Sequence, residues 1–196
     1  MILKFLKKSL AGRRRSDWND QYRKGMWDYL NDDLEAQRYD AIIQAVQAYG
    51  RNGYILEVGC GEGILQSRMP PGSYSSYLGI DISEVAIKKA GRLCDQTTQY
   101  VRADMETYIP KSRFDVIIFN ESLYYAREPV KLLVQYAHFL KQGGHMILSI
   151  YDTEENRRLL NSIGMNYSIR EQQVSTNQRG SWYCQVYLKG SILPKA

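Results

Sequence analysis

The residues most suggestive of chemistry form a glycine-rich segment that directly follows a run of apolar residues. This segment, ILEVGCGEG at 55–63, has Gly59, Gly61 and Gly63 at alternate positions. Glycine adopts positive φ angles without steric cost, and it lets backbone N–H groups approach a ligand that a side chain would block. A nicotinamide-binding turn reads G-x-G-x-x-G, so the third glycine comes one residue early here, and the acidic Glu57 precedes the turn. The spacing predicts a ligand-binding turn, with a purely structural turn as the alternative.

Two acidic residues follow the glycine turn at the ends of the next predicted strands. Asp81 lies near the end of the run YLGIDI, 18 residues after Gly63. A carboxylate at this position can accept hydrogen bonds from both hydroxyls of a ribose. Alternatively, Asp81 or Ser83 caps the helix that begins at Glu84. Asp104 follows the run TQYVRA, and an ordinary loop aspartate is its alternative. The distance from the glycine turn favours the ribose role for Asp81.

The wider pattern resembles the class I S-adenosylmethionine-dependent methyltransferases. Their motif I has the form apolar-apolar-(E/D)-apolar-G-x-G-x-G, to which residues 55–63 correspond. FDVIIFNESLYY at 114–125 resembles motif IV and GGHMILSI at 143–150 the strand after motif V, so the resemblance covers about residues 35–190. It implies S-adenosyl-L-methionine as the methyl donor and S-adenosyl-L-homocysteine as the product. The donor-binding residues that it implies are Arg38, Glu57, Gly59, Gly61, Gly63, Asp81, Ile82, Asp104, Met105 and Asn120.

The resemblance assigns specific contacts to three of these residues. Asp104 would accept a hydrogen bond from the amino group of adenine, and the backbone N–H of Met105 would meet a nitrogen of the adenine ring. Arg38 forms an E-x-x-R element with Glu35, similar to that of the nodulation-protein-S-like methyltransferases, with Leu34 in place of their tyrosine. The resemblance implies that Arg38 pairs with the carboxylate of the donor; a surface salt bridge is the alternative.

The acceptor side of the site is expected directly after the fourth strand. The segment NESLYY at 120–125 resembles the E-x-L-Y-Y stretch of the nodulation-protein-S-like enzymes, which methylate amino sugars. Glu121 is the candidate catalytic residue, as a general base or as an anchor for an acceptor amine. Its alternative role is to bond the adjacent loop. Tyr124 and Tyr125 would line the mouth of the acceptor site, where their rings stack on a sugar or hold a cation, unless one of them packs in the core.

The expected function is methyl transfer to an oxygen or nitrogen atom of a small-molecule or sugar/glycan acceptor, because little chain remains for a substrate domain. Residues 120–125 lack the (N/D)-P-P-(Y/F) sequence of amino-directed DNA methyltransferases and the cysteine of cytosine C5 enzymes. No carboxylate cluster predicts a metal. Cys60 is interpreted as a packing residue, His138 as structural and His145 as a minor catalytic candidate. The alternatives are an RNA methyltransferase, a non-catalytic binding module with the same fold, and a nicotinamide-dependent oxidoreductase.

Short apolar runs and helical stretches alternate along the chain, which is typical of a parallel sheet covered on both faces. We predict an α/β, doubly wound, Rossmann-like seven-stranded sheet, mostly parallel, with an antiparallel C-terminal hairpin. The predicted strands are YILEV, YLGIDI, TQYVRA, FDVIIFN and HMILSI, followed by NYSIREQQV and SWYCQVYLK in the hairpin. The predicted helices cover residues 35–49, 83–93, 105–108, 128–140 and 154–162.

The net charge of +5 belongs to the first residues of the chain. Residues 1–16 hold six basic residues and no acidic one, which leaves 20 basic and 21 acidic residues elsewhere. We predict a basic amphipathic tail at 1–16 that contacts an anionic membrane surface, with a frayed terminus as the alternative. An aromatic arm or lid at 17–34 and the methyltransferase domain at 35–196 would follow.

The same composition bounds partners and location. The domain carries no cluster of basic residues beyond the tail, so a nucleic-acid partner is not expected. Three widely spaced cysteines indicate a reducing compartment, and no apolar run approaches the roughly 20 residues that span a bilayer. We therefore expect a cytoplasmic protein, peripheral at the membrane surface through its tail.

Overall fold

The computed structural model describes residues 15–192, and a seven-stranded sheet lies at its centre. The predicted basic tail at 1–16 lies outside the described residues, except for its last two. No helix within the described range is long and apolar enough to cross a membrane. The strands are β1 (Gly53–Val58), β2 (Tyr74–Asp81), β3 (Thr98–Arg102), β4 (Phe114–Asn120), β5 (Leu140–Tyr151), β6 (Tyr167–Asn177) and β7 (Gly180–Ile192). The α-helices are α1 (Arg15–Arg23), α2 (Ala36–Tyr49), α3 (Ile64–Arg68), α4 (Glu84–Ala90), α5 (Pro129–Ala137) and α6 (Glu154–Gly164).

The strand order β3-β2-β1-β4-β5-β7-β6 confirms the predicted doubly wound sheet. β1 pairs in parallel with β2 and β4, and the parallel pairing continues to β3 on one side and β5 on the other. β7 runs antiparallel to both β5 and β6, which is the predicted C-terminal hairpin. The strand order changes direction between β1 and β4. In sheets of this kind, ligands bind at the carboxyl ends of the strands beside this point.

The sheet buries both faces because its central strands are apolar at nearly every position. On β4, Ile117 and Phe119 pack against α5 and α6, whereas Val116 and Ile118 face α2 and α3. The same alternation puts Glu57 of β1 on the α2 side, although only 1% of this residue is exposed. A buried carboxyl group in an apolar layer needs hydrogen-bond partners, and those of Glu57 are Tyr77 and Asn120.

Two helix predictions differ clearly from the structure. Residues 105–108 form a turn, because the carbonyl of Asp104 accepts the N–H groups of both Thr107 and Tyr108 and no further helical bond follows. The helix predicted at 128–140 ends at Ala137, and Leu140 already belongs to β5. Bonds of the i to i+3 type close the end of this helix.

The structure also shows which residue caps α4 and which elements form the predicted arm. Ser83 precedes α4 and caps it, with its hydroxyl accepting the N–H of Ala86 at 3.2 Å. The predicted arm at 17–34 contains most of α1 and two short 3-10 segments, Asp28–Asn31 and Asp33–Glu35. Glu35 belongs to the second of these segments, so α2 begins one residue later than the sequence predicts.

Gly79 of β2 gives a direct test of the packing around the glycine turn. A Cβ on Gly79 would lie 2.5 Å from Cδ1 of Tyr100 and 2.9 Å from Sγ of Cys60. We expect Gly79→Ala to lower the free energy of unfolding by about 1–3 kcal/mol, because an added methyl group overpacks this contact. Urea denaturation measures the change. Gly91→Ala is the control, since no atom lies within 4 Å of its Cβ position. Equal stability of the two variants would contradict this packing.

Candidate functional site

The glycine turn connects β1 to α3 and has the predicted left-handed backbone. The φ angles are 79° at Gly59, 55° at Gly61 and 81° at Gly63, a region that residues with a Cβ rarely adopt. The N–H of Gly59 donates to the carbonyl of Ile80 at 2.8 Å, and the N–H of Gly61 donates to Oδ2 of Asp81 at 2.9 Å. These two amides are therefore engaged inside the protein. A ligand would meet the turn at its Cα atoms and its other backbone groups.

The three glycines have different neighbours. A Cβ on Gly59 would lie 2.5 Å from Cβ of Ser122, and one on Gly63 would lie 2.7 Å from a tyrosine hydroxyl of β3. These two glycines permit close packing within the domain. A Cβ on Gly61 would instead lie 2.9 Å from the hydroxyl of Tyr22 in α1. Gly61 is therefore the position at which the turn faces the N-terminal arm.

Asp81 joins the glycine turn to the start of α4. Besides the bond to Gly61, its Oδ1 accepts the N–H of Ser83 at 2.7 Å. The residue is 9% exposed, and burial raises the pKa of its carboxyl group to about 6, although both backbone N–H groups act to lower it. Each oxygen of a carboxylate has two lone-pair sites, so both oxygens can accept one more hydrogen bond. Helix capping, the alternative for this position, is performed by the Ser83 hydroxyl.

The residues predicted to contact adenine lie beside the end of β2. The N–H of Ala103 donates to the carbonyl of Asp81 at 2.9 Å, which holds the end of β3 next to that of β2. Asp104 is partly buried, and its Oδ1 accepts the N–H of Glu106 at 2.9 Å. Met105 and Ile82 are also partly buried, and Met105 packs against the hydrophobic core.

A row of buried polar side chains crosses the carboxyl ends of β1 and β4. The hydroxyl of Tyr77 donates to Glu57, and Nδ2 of Asn120 donates to Oε1 of Glu57 at 3.4 Å. Nη1 of Arg38 donates to Oδ1 of Asn120, and Nε of Arg38 donates to Oε2 of Glu35, both at 2.9 Å. Arg38 is 3% exposed, so the surface salt bridge considered for it is wrong: the Arg38–Glu35 pair is a buried ion pair.

Glu57 is almost fully buried, with 1% of the residue exposed. Burial raises the pKa of its carboxyl group to about 8, and the hydrogen bonds from Tyr77 and Asn120 oppose this rise. Glu57 is therefore mostly protonated at neutral pH in the protein described here. Its side chain accepts a hydrogen bond from Asn120, so it would act on a ligand indirectly, by holding Asn120 in place.

Glu121 has a strained backbone and a highly engaged carboxylate. Its φ angle is 55°, in the left-handed region that residues with a side chain seldom adopt. Oε2 accepts the hydroxyl of Tyr124 at 3.0 Å and the N–H of Tyr151 at 3.1 Å, and Oε1 accepts Oγ of Ser149 at 3.3 Å. Burial raises the pKa of Glu121 to about 7, against the lowering effect of the Arg38 charge and of these hydrogen bonds. A group that titrates near neutral pH at this edge of the sheet can take up or release a proton.

Aromatic rings from the arm and from the loop after β4 form one cluster beside Glu121. Trp18 meets the ring of Tyr125 edge-on at 4.7 Å, and Tyr124 lies 4.5 Å from Tyr125. Trp27 lies 6.0 Å from Trp18 and 6.3 Å from Tyr22. Tyr124 also packs against the hydrophobic core, as one alternative proposed. The two predicted acceptor tyrosines are thus in contact with each other and with the arm.

Two residues of α1 were not predicted as part of the site. Asn19 is 8% exposed, and its Oδ1 accepts the hydroxyl of Ser83 at 2.8 Å and the N–H of Val85 at 3.4 Å. Tyr22 lies against the glycine turn at Gly61. The density of aromatic residues marked the arm as a lid, but a single sequence carries no signal for which of its residues face the turn.

The structure also locates His145 and Cys60. His145 lies away from the carboxyl ends of the strands, and Cys60 has an unreactive thiol. His145 pairs with Val116, whereas Asn120 at the carboxyl end of β4 pairs with Ser149. His145 is therefore four residues, or about 13 Å along the strand, from the site, and it is wrong as a catalytic candidate. Cys60 is 6% exposed, and burial raises the pKa of its thiol well above the usual value, which agrees with a packing role.

Comparison with known proteins identifies the family. A family model described as a methyltransferase domain matches residues 28–189. Ribosomal protein L11 methyltransferase of Geobacter sulfurreducens is 30% identical over 149 residues, which are 74% of this chain and 47% of that protein. Ubiquinone biosynthesis O-methyltransferase of Thiobacillus denitrificans is 31% identical over 122 residues, 59% of this chain and 52% of that protein. The chain spans about half the length of these curated relatives.

Solved structures show the same fold. The N-methyltransferase NodS from Bradyrhizobium japonicum, in complex with S-adenosyl-L-homocysteine, aligns with a TM-score of 0.72 at 16% identity over 84% of this chain and 91% of that chain. Magnesium protoporphyrin IX methyltransferase from Synechocystis, with the same product bound, aligns with a TM-score of 0.67 at 15% identity over 90% and 100% of the two chains. From the family match and the fold together, the chain belongs to the class I S-adenosylmethionine-dependent methyltransferases.

Proposed function

We propose that this chain transfers a methyl group from S-adenosyl-L-methionine to a nitrogen or oxygen atom of a small-molecule or sugar acceptor. The observation that carries the proposal is the position of Asp81. Its carboxylate holds the glycine turn at Gly61 on one side and the start of α4 on the other. Asp104, Asn120 and Glu121 lie at the ends of the neighbouring strands. The groups proposed to bind the donor and to accept a proton thus lie at the same end of neighbouring strands.

The residues of this edge suit the proposed donor. Asp81 has lone pairs available for the two hydroxyls of a ribose, and Asp104 and Met105 lie beside it to contact a base. At Gly61 a Cβ would lie 2.9 Å from the hydroxyl of Tyr22, so the absence of a side chain lets the arm approach the turn closely. The carboxyl groups of Asp81 and Glu121, with pKa values of about 6 and about 7, would match the sulfonium and ammonium charges of the donor in their ionised forms. When bound, the donor supplies a methyl group already activated by the positive charge on its sulfur.

The side chains of this protein would then position the acceptor and exclude water. The ring of Tyr22 covers the glycine turn, and Trp18 with Tyr125 closes the side next to the loop after β4. Excluding water and aligning the reacting atoms lowers the barrier of a displacement that needs no metal. Glu121 would accept the proton of a hydroxyl acceptor, or hold an acceptor amine through its charge.

The proposed acceptor is a small molecule or a sugar, and three parts of the chain would recognise it. Recognition would come from the arm at 17–34, from Tyr124 and Tyr125, and from the hairpin of β6 and β7. Aromatic rings beside a carboxylate suit a sugar face or a cationic amine. The relatives named above are a ribosomal protein methyltransferase and an O-methyltransferase of ubiquinone biosynthesis, so they do not share one acceptor class. The proposed acceptor class therefore rests on the side chains of this chain.

Two measurements test the proposal. Calorimetric titration of the full chain with S-adenosyl-L-homocysteine is expected to show binding, whereas NAD should give no heat. A panel of sugars, amines and RNAs, screened for formation of S-adenosyl-L-homocysteine, is expected to give turnover with a sugar or amine. Binding without turnover on every class would favour the non-catalytic module, and turnover on RNA alone would favour the RNA methyltransferase.

A further inference from the structure

Arg179, in the turn of the C-terminal hairpin, is far from the predicted site in sequence but contacts the segment before α2. Its Nη1 donates to Oε1 of Glu35 at 2.8 Å and to the carbonyl of Tyr29 at 3.3 Å. Its Nη2 donates to Asp32, and its guanidinium lies over the ring of Tyr29 at 5.1 Å. The backbone N–H of Arg179 donates to Oδ1 of Asn177 at 2.7 Å, which holds the turn itself. The turn of the hairpin is thus bonded to the end of the arm.

Glu35 connects Arg179 to Arg38 in the interior of the domain. The residue is fully buried, and its two carboxylate oxygens have different arginine partners: Oε1 accepts from Arg179 and Oε2 accepts from Arg38. A buried carboxylate is stable when its oxygens are bonded to donors of opposite charge. The position of the Glu35 carboxylate, and with it the direction of the Arg38 guanidinium, therefore depends on Arg179.

Arg38 in turn determines how the side-chain amide of Asn120 is oriented. A guanidinium only donates hydrogen bonds, so the atom of Asn120 that faces Arg38 must be its oxygen. The amide nitrogen consequently points toward Glu57, with which it bonds at 3.4 Å. Asn120 ends β4 at the point where the strand order changes direction, and Glu121 follows it.

We propose that Arg179 is a positioning residue for the donor-binding edge of the sheet, acting through Glu35 and Arg38 on Asn120. Its side chain bonds Glu35, Asp32 and Tyr29, and it acts on Arg38 only through Glu35. Without Arg179, Oε1 of Glu35 loses its partner and the carboxylate can turn to form a two-point contact with Arg38. Such a contact would use Nε and Nη2 of Arg38 and would shift the guanidinium, which would weaken the bond from Nη1 to Asn120 and allow the amide to rotate. This inference rests on the proposed function of the site.

The test is calorimetric titration of the full chain with S-adenosyl-L-homocysteine. We expect Arg179→Ala to weaken binding by about tenfold, corresponding to the loss of one well-oriented polar contact. Arg179→Lys should retain affinity within about threefold, because an ammonium group can still donate to Glu35. Arg158→Ala is the control: Arg158 forms an exposed ion pair with Glu154 on α6, and its loss should leave the affinity unchanged.

A double variant separates positioning from simple stabilisation. In an Asn120→Ala background, Arg179→Ala should weaken binding by less than about twofold, since the residue through which it acts is absent. Equal effects in the two backgrounds, or a lower melting temperature with unchanged affinity, would overturn the inference. If Arg179→Ala does not fold, Glu35→Gln takes its place, with an expected loss of several-fold; unchanged affinity would again overturn it.

The outcome for the unsubstituted chain distinguishes the two proposals. If that chain does not bind S-adenosyl-L-homocysteine, the proposed function fails and the role of Arg179 in donor binding fails with it. If it binds and Arg179→Ala binds equally well, the proposed function stands and only the positioning role is overturned.

Discussion

Asp81→Ala is expected to weaken the binding of S-adenosyl-L-homocysteine by about 100-fold or more. If Asp81 holds the ribose as proposed, the variant removes two hydrogen bonds that the ribose hydroxyls donate to a charged acceptor, each worth about 1.5–3 kcal/mol. It also releases the N–H of Gly61, which Asp81 holds at 2.9 Å, so the glycine turn loses its anchor. Calorimetric titration of the purified chain measures the affinity, and a melting curve checks that the variant is folded.

A matched control exists in the loop before β3. Asp95 is exposed, and its Oδ1 accepts the backbone N–H groups of Thr97 and Thr98, each at 2.7 Å. Asp95→Ala loses two backbone bonds of the same kind as Asp81→Ala does, far from the donor, and it should bind with unchanged affinity. Equal losses of affinity in the two variants would mean that Asp81 has no direct role in holding the ribose.

The pH dependence of binding gives a second test of the same group. Burial raises the pKa of Asp81 to about 6. In the proposed role, the ionised form accepts the hydrogen bonds of the ribose hydroxyls. The affinity should therefore be complete above about pH 7 and fall as the pH drops through 6, because protonation removes acceptor sites and charge. Asp81→Asn should bind weakly with no such decline. A flat profile in the unsubstituted chain would contradict this assignment.

The second large effect is expected at Glu121. If Glu121 is the general base, Glu121→Gln should lower kcat by about 100-fold to 10,000-fold, while S-adenosyl-L-homocysteine binds within about twofold of the normal affinity. The amide cannot accept a proton at neutral pH. With the acceptor found in the panel, kcat of the unsubstituted chain should rise as the pH passes 7, near which the carboxyl group titrates, and the variant should lack this rise.

Two variants serve as controls for Glu121. Glu128→Gln removes an exposed acidic group that pairs with Lys131, and His145→Asn changes a side chain beside Val116, away from the site. Both should keep normal turnover. Loss of turnover only in His145→Asn would reverse the assignment. A raised KM with unchanged kcat in Glu121→Gln would indicate that Glu121 anchors the acceptor and is not the base.

Much of the architecture could be predicted because its signals are local. Buried strands and amphipathic helices differ in the period of their apolar residues, so the order of elements follows from a reading of the chain alone. The three glycines mark positions that need positive φ angles, and all three have them. The bounds of the helices are predicted less accurately than their order. Residues 105–108 form a turn, and Leu140 belongs to β5 because it pairs with Phe114 of β4, a contact that the local sequence does not reveal.

The fold family, the glycine turn and the acidic residues at the strand ends could be predicted from the amino-acid sequence, since each depends on short-range spacing and on the chemistry of single side chains. Which of these groups contact one another became clear from the packing of the elements. Arg38 and Asn120 are 82 residues apart and Arg179 and Glu35 are 144 apart, yet both pairs bond directly. Contacts of this kind arise when helices and strands pack, and the pKa of Glu121 depends on the burial that this packing creates.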